Sequence, residues 1–229
     1  GTFITTDTGS VDLYPPNPAN PWFGGTTASW QQQRSAAFLA LPPGAVVTHA
    51  QLLWGGSYLY FEDVTADLDD AVALSHGAET PLSVSPDPQL STTLALFSQH
   101  GYAVNYYVRS ADVTSYVAAR GGGQYAVGGI PATQSDASNS LNAGGWALIV
   151  AYATAAEPLR NLQIRVGGDY LEEGLAADVS FSGFVTPEDA VVAATLLVAA
   201  MEGDADLTGD QLLLRGGAGA WTPLSAPGN

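Results

Sequence analysis

The chain contains no cysteine and no lysine. Without thiols it has no disulfide, no thiolate nucleophile, no Cys-ligated zinc and no thioester bond. Without an ε-amine it has no Schiff base and no lysine isopeptide staple. All six cationic residues are arginine. Charge of either sign is scarce: Asp, Glu, Lys and Arg make up 12% of the chain, against ~25% in ordinary soluble domains. Much of the surface must then be Ser, Thr, Gln, Asn and Gly. The charge that is present is one-sided, 22 acidic residues and a formal net charge of −16. Nucleic acids need cations to replace their counterions, so no nucleic-acid partner is expected. An anionic membrane surface would repel the chain. No apolar run approaches the ~20 residues of a membrane span, so no membrane insertion is expected either. The start shows no signal-peptide pattern, and Gly1 reads equally as a processed start or an added residue.

What is present is material for a large core, 46% hydrophobic residues in 229. The 26 glycines and 14 prolines are spread along the chain, as turns between many short strands require. This patterning predicts an all-β fold, a β-sandwich of jelly-roll or Ig-like kind with one short helix. No fixed-period repeat is visible, which argues against a solenoid or propeller.

Residues 1–25 read as an extended, Pro-rich N-terminal arm. Tyr14 to Pro21 holds four prolines, which lack the N–H a ladder needs. Thr2, Phe3, Ile4 and Thr5 are β-prone, and Trp22 and Phe23 are expected to plug into the body. Residues 26–229 read as the sandwich, either one unit or two subdomains split near 131–143. Gly144 to Tyr152 is the strongest buried-strand signal. It is expected at the centre of a sheet with both faces covered, followed by a half-buried strand over Pro158 to Val166. Val46 to Phe61 predicts a long strand region, with Gly55-Gly56 marking a bulge or a close backbone approach. Further strands are expected at Ala71–Leu74, Leu82–Val84, Leu94–Phe97, Tyr102–Val108, Gln124–Val127, Ala177–Val185, Gln211–Leu214 and Ala220–Thr222. Val191–Ala200 is continuously apolar and reads as a buried helix or a buried strand, its β-branched residues and flanking turns favouring strand. The helix is expected over Ala111 to Ala119, with Ser110 as cap, Asp112 near its start, Arg120 near its end and Gly121-Gly122-Gly123 stopping it.

The best metal candidate is Asp204, Asp206, Thr208 and Asp210. With Gly209 they follow the opening of an EF-hand loop, where oxygen ligands alternate around calcium. The twelfth position, Arg215, breaks the match, and a polar turn between strands explains the same residues. Asp63, Asp67, Asp69 and Asp70 form a second acidic cluster, readable as a cation site or a hydrated loop. His49, His76 and His100 are too scattered for zinc. Neighbouring carboxylates such as Glu62/Asp63 and Glu172/Glu173 point to opposite faces of a strand and are no evidence for a glycosidase. Trp54 and Trp146 read as core. Among Tyr58, Tyr60, Tyr106 and Tyr107 some are expected to face outward, which would offer stacking surfaces to a glycan.

Five pieces, in order, carry a likeness. They are Leu52-Leu53-Trp54-Gly55-Gly56-Ser57, Ala111-Asp112-Val113-Thr114, and Gly123 to Gly129. Gly144 to Tyr152 with Glu157-Pro158-Leu159-Arg160-Asn161 is the fourth, and Glu202-Gly203-Asp204 with Leu207 to Asp210 the fifth. Together they resemble a module of unknown function found in large secreted and cell-surface bacterial proteins, adhesin-like and often set beside Ig-like repeats. The resemblance implies extracellular display and assigns no catalytic residue. The combined expectation is a non-enzymatic structural protein of a bacterial surface. It would self-assemble into a filament or layer through Thr2, Phe3, Ile4, Thr5, Trp22 and Phe23. The alternative is a glycan-binding adhesion module, with or without calcium. No cofactor beyond calcium is expected, and the partners are further copies of the chain or glycans.

Overall fold

The structure, a computed structural model, describes residues 5–6, 11–12, 29–60, 62–99, 101–133, 142–172, 174–183, 196–198 and 211–224. Its strands in chain order are β1 (Thr5–Thr6), β2 (Val11–Asp12), β3 (Arg34–Leu39), β4 (Val46–Ser57), β5 (Leu59–Tyr60), β6 (Glu62–Asp63), β7 (Val72–His76), β8 (Leu82–Val84), β9 (Thr92–Phe97) and β10 (Ala103–Asp112). Helix α1 (Thr114–Arg120) follows, then β11 (Gly123–Gly128), β12 (Gly144–Ala153), β13 (Leu212–Leu214) and β14 (Thr222–Leu224). The protein is mostly β, in several antiparallel sheets. One four-stranded sheet runs β12-β4-β10-β9, and a second runs β3-β11-β7-β8. β1–β2, β5–β6 and β13–β14 are two-stranded. Among the described residues no helix is long and apolar enough to cross a membrane.

β4 organises the first sheet. Its twelve residues enter exposed at Val46 and are buried from Ala50 through Ser57. Ala50, Leu52 and Trp54 point one way, as the two-residue strand period requires, and are fully buried. They join Val72 and Leu74 of β7, Tyr125 and Val127 of β11, and Val113 and Val117 at the helix in one apolar cluster. Both sheets thus feed a single core. Burying a large side chain such as Leu52 or Leu74 contributes about 1.5–3 kcal/mol. Gln51, on the opposite side of β4, is also buried, and its amide donates to the Ser110 hydroxyl of β10. That bond offsets the cost of burying an amide.

Several expectations need correction. Gly144–Tyr152 does not lie at a sheet centre. It forms most of β12, which among the described residues pairs with β4 alone and stands at the edge, with most of its residues half-buried. A strand with apolar cover on its faces has the same one-dimensional pattern whether it has one ladder partner or two. Pro158 to Val166 forms no ladder. Residues 158–162 are exposed, Leu159 and Leu162 included, so the expected half-burial is absent there. Half-buried positions alternate with exposed ones only from Ile164 to Glu172, where an extended segment lies on the body. Gly168 rests there, a Cβ on it meeting Thr92 and Val108 Cγ2 at 3.3 Å. Gly55 and Gly56 hold regular register with Val108 and Tyr107, and the irregularity on β4 falls opposite Ala151/Tyr152. The close approach is real: a Cβ on Gly56 would sit 2.6 Å from the Ala143 carbonyl oxygen.

The helix starts at Thr114, because Ser110, Ala111 and Asp112 belong to β10. Gly121 ends it at φ 71°, its N–H bonded to the Val117 carbonyl. Residues 177–183 are exposed and not in a strand, and Leu196–Val198 lack regular structure. The rest of Ala177–Val185 and Val191–Ala200 lies outside the described residues. The N-terminal segment includes the β1–β2 hairpin, and both strands lie against β3. Both ends of the 131–143 connection are tied to the end of β4. Thr133 N–H donates to Ser57 O at 3.0 Å, and Ser57 N–H donates to Ala143 O at 2.8 Å.

Candidate functional site

Most residues expected to bind or assemble lie outside the described part of the chain: Asp204, Asp206, Thr208, Asp210, Thr2, Phe3, Ile4, Trp22 and Phe23. Thr5 sits in β1, paired with Asp12 of β2. The second acidic cluster does not converge. Asp63 accepts from the Thr65 N–H at 2.9 Å, and the Thr65 side chain and backbone together hold its carboxyl below the usual range. Asp69 pairs with Arg109. Among the described residues no group of three or more His, Asp or Glu is gathered to hold a metal.

The described histidines make contacts within the fold. His49 meets the Thr114 hydroxyl at 3.4 Å. His76 packs on the Tyr125 ring at 4.8 Å and faces the Gly122 carbonyl. His100 lies outside the described residues. Glu62 and Asp63 are adjacent on β6, while Glu172 accepts from the Gln99 N–H and the Tyr170 hydroxyl, far from them in sequence. The tyrosine platform is not formed: Tyr58, Tyr60 and Tyr107 are buried, and only Tyr106 of the four is half-exposed. Tyr58 OH donates to Leu94 O at 3.1 Å, and Tyr60 OH to Ala103 O at 2.8 Å. Tyr107 OH donates to Pro131 O at 2.6 Å, and its burial pushes the phenol well above the ordinary range. Trp54 is core as expected, and Trp146 packs beside it with its indole N–H on the Ser35 hydroxyl of the other sheet.

Two features emerge that pattern alone did not reveal. The first is a cavity of about 310 Å³ lined by Asp69, Ser85, Pro86, Pro88, Ser91, Thr93 and Arg109. Arg109 shares a face of β10 with Tyr107, so its guanidinium runs inward, 5.3 Å from that ring's centroid. It is 5% exposed. Its Nε donates to Asp69 Oδ1 at 2.8 Å, and Nη1 is within reach of Thr92 O, Val108 O and Thr93 Oγ1 at 2.9, 3.1 and 3.2 Å. The rim is held by Asp87: its N–H donates to Ser110 O, its carboxylate accepts from Gln89 N–H, and its carbonyl accepts from the Ser91 hydroxyl. The available sequence signal was a charge on the inward face of Tyr107-Val108-Arg109-Ser110-Ala111. A buried charge requires a partner.

The second feature is the outer edge of β12. Its ten residues, Gly144 to Ala153, carry no charge and no proline. Among the described residues no strand pairs with that edge. Charges, prolines and bulges are the usual devices that blunt an edge strand. Here only the irregularity at Ala151/Tyr152 is present, near one end. The chain matches no protein-family model, no curated protein and no solved structure.

Proposed function

We propose that the chain is a non-enzymatic structural protein of a bacterial surface, secreted and displayed outside the cell, that assembles with copies of itself into a filament or layer. In this reading its two four-stranded sheets form a β-sandwich of the jelly-roll or Ig-like kind. The observation that carries the reading is the uncharged outer edge of β12, with which no strand pairs among the described residues. A row of backbone N–H and C=O groups on such an edge accepts an added strand, with main-chain hydrogen bonds supplying affinity. The β-prone Thr2–Thr5 of a neighbouring copy is the strand proposed to add there. Exposed Leu159, Leu162 and Leu197, at 102, 60 and 87%, offer further apolar surface for a packed assembly. Calcium at Asp204, Asp206, Thr208 and Asp210 would serve as a staple between or within copies.

Negative-stain electron microscopy of the full chain at neutral pH, with calcium, tests this directly. Regular filaments or sheets are expected. Ile149→Lys places a charge on β12, on the side away from Trp146, Leu148 and Val150, which pack on the core. This variant should keep the wild-type circular dichroism spectrum and remain dispersed. Deleting residues 1–21 should abolish assembly while the body stays folded. Dispersed wild-type particles would overturn the assembly reading, and a truncated chain that still polymerises would overturn the role of the arm.

A further inference from the structure

We infer that the cavity at Arg109 is a binding site for a neutral polyhydroxylated ligand, a saccharide unit. This inference is independent of the assembly reading. The cavity's volume, about 310 Å³, lies at the small end of ligand sites. Its chemistry is balanced between donors and acceptors. Arg109 commits Nε to Asp69 and Nη1 to Thr92, Thr93 and Val108, and none of its bonds to the described residues uses Nη2. A guanidinium has five N–H donors, so two remain for a ligand. Thr93 Oγ1 accepts from Arg109, which leaves its proton to donate outward. Ser91 donates its proton to Asp87 O, which leaves its lone pairs to accept. Asp69 uses one carboxylate oxygen on Arg109 and presents the other. Ser85 contributes a hydroxyl of either polarity.

A set that both donates and accepts suits groups that do the same, and adjacent hydroxyls on a sugar ring are such groups. An anion offers acceptors only and would meet the Asp69 carboxylate; the net charge of −16 also repels it. A cation offers no acceptor for Nη2 and would meet the guanidinium. The Arg109–Asp69 pair is close to neutral in sum, which fits an uncharged ligand. The rim is pre-formed by the Asp87 bonds to Ser110, Gln89 and Ser91, so binding orders little new structure.

Isothermal titration calorimetry of the full chain with methyl α-glucoside, N-acetylglucosamine and maltotriose, paired with hydrogen-exchange mass spectrometry, tests the site. Sodium phosphate and sodium acetate serve as anion probes. Saturable heat is expected with at least one sugar and with neither anion, and new protection is expected over residues 85–93 and at Arg109. Ser85→Leu, at an exposed position, fills the cavity, and Thr93→Val removes one donor at nearly constant shape. Each should weaken the sugar about tenfold or more with the melting temperature little changed. Flat titrations with all three sugars, saturable binding of phosphate or acetate instead, or protection elsewhere on the chain would each overturn the inference. So would full affinity in Ser85→Leu.

Discussion

Gly56 shows how one missing side chain lets the first sheet form. Its place opposite Gly144 of β12 brings the backbone at Ala143 so near that a Cβ would lie 2.6 Å from a carbonyl oxygen and 3.3 Å from Ala132 Cβ. Backbone cannot swing aside as a flexible side chain can. Gly56→Ala should therefore destabilise the protein by about 1–3 kcal/mol, as overpacking does. Urea denaturation monitored by tryptophan fluorescence would read the loss, and an unchanged midpoint would contradict the close approach. The buried tyrosines set a second residue-scale property. Burial is the main cause that pushes Tyr125 from 10.0 up to about 12, and burial raises Tyr58, Tyr60 and Tyr107 as well. The folded state favours the neutral phenol. Its contribution is complete below pH 10, where the unfolded phenol is also neutral, and is lost as pH rises from 10.0 through about 12. Denaturation midpoints should fall across that window, with tyrosinate absorbance appearing as the protein unfolds.

At the scale of elements, α1 is short and depends on its ends. Asp112, the last residue of β10, accepts from the Thr114 N–H at 2.8 Å and so bridges strand and helix. The Thr114 side-chain and backbone hydrogen bonds hold its carboxyl below 3.8. Asp112→Ala should cost about 0.5–2 kcal/mol, in the range of lost helix caps, and Asp112→Asn distinctly less. Thermal melts of the two variants at neutral pH would separate them. In wild type the stabilisation from this carboxylate is present above pH 3.8 and fades as pH falls through its lower folded value. The helix stop at Gly121 was readable because a glycine at positive φ is a local requirement. The start was not. Ala111 and Asp112 suit a helix by local preference, yet β4 holds them in its ladder through Leu52 and Gln51.

Over the whole molecule the acidic excess dominates electrostatics. All six arginines are engaged within the fold: Arg34 with Ser75, Arg109 with Asp69, Arg120 with Glu79, Arg160 with Glu157, Arg165 with Phe181 and Arg215 with Trp221. Six cations cannot balance 22 acids, and the remaining repulsion acts over a Debye length. Salt weakens the few exposed ion pairs, each worth about 0–1 kcal/mol. It also weakens a far larger number of repulsions, so the second effect should win. Raising NaCl from about 0.01 to about 1 M, which shortens the Debye length from ~30 to ~3 Å, should raise the melting temperature by several degrees. A flat or falling curve in scanning calorimetry would show that the ion pairs outweigh the repulsion.

Composition and local pattern settle a definite share of this protein. The all-β class follows from glycine and proline spread between short β-branched and aromatic runs. The absence of covalent staples follows from the missing cysteine and lysine, and the strands at β4, β7, β8, β9, β10 and β11 follow from their apolar periods. Neighbourhood is another matter. A two-residue period tells which side chains share a face and is silent on how many strands lie alongside. Gly144–Tyr152 therefore reads as a centre, although among the described strands β4 lies inside the sheet and β12 at its rim. The period of β10 marks Arg109 as inward-facing but names no partner; folding brings Asp69, 40 residues away in the chain, to its guanidinium. Ladder partners and the partner of a buried arginine come from segments far apart in sequence, and those meetings are decided by the packing of the whole chain around one core.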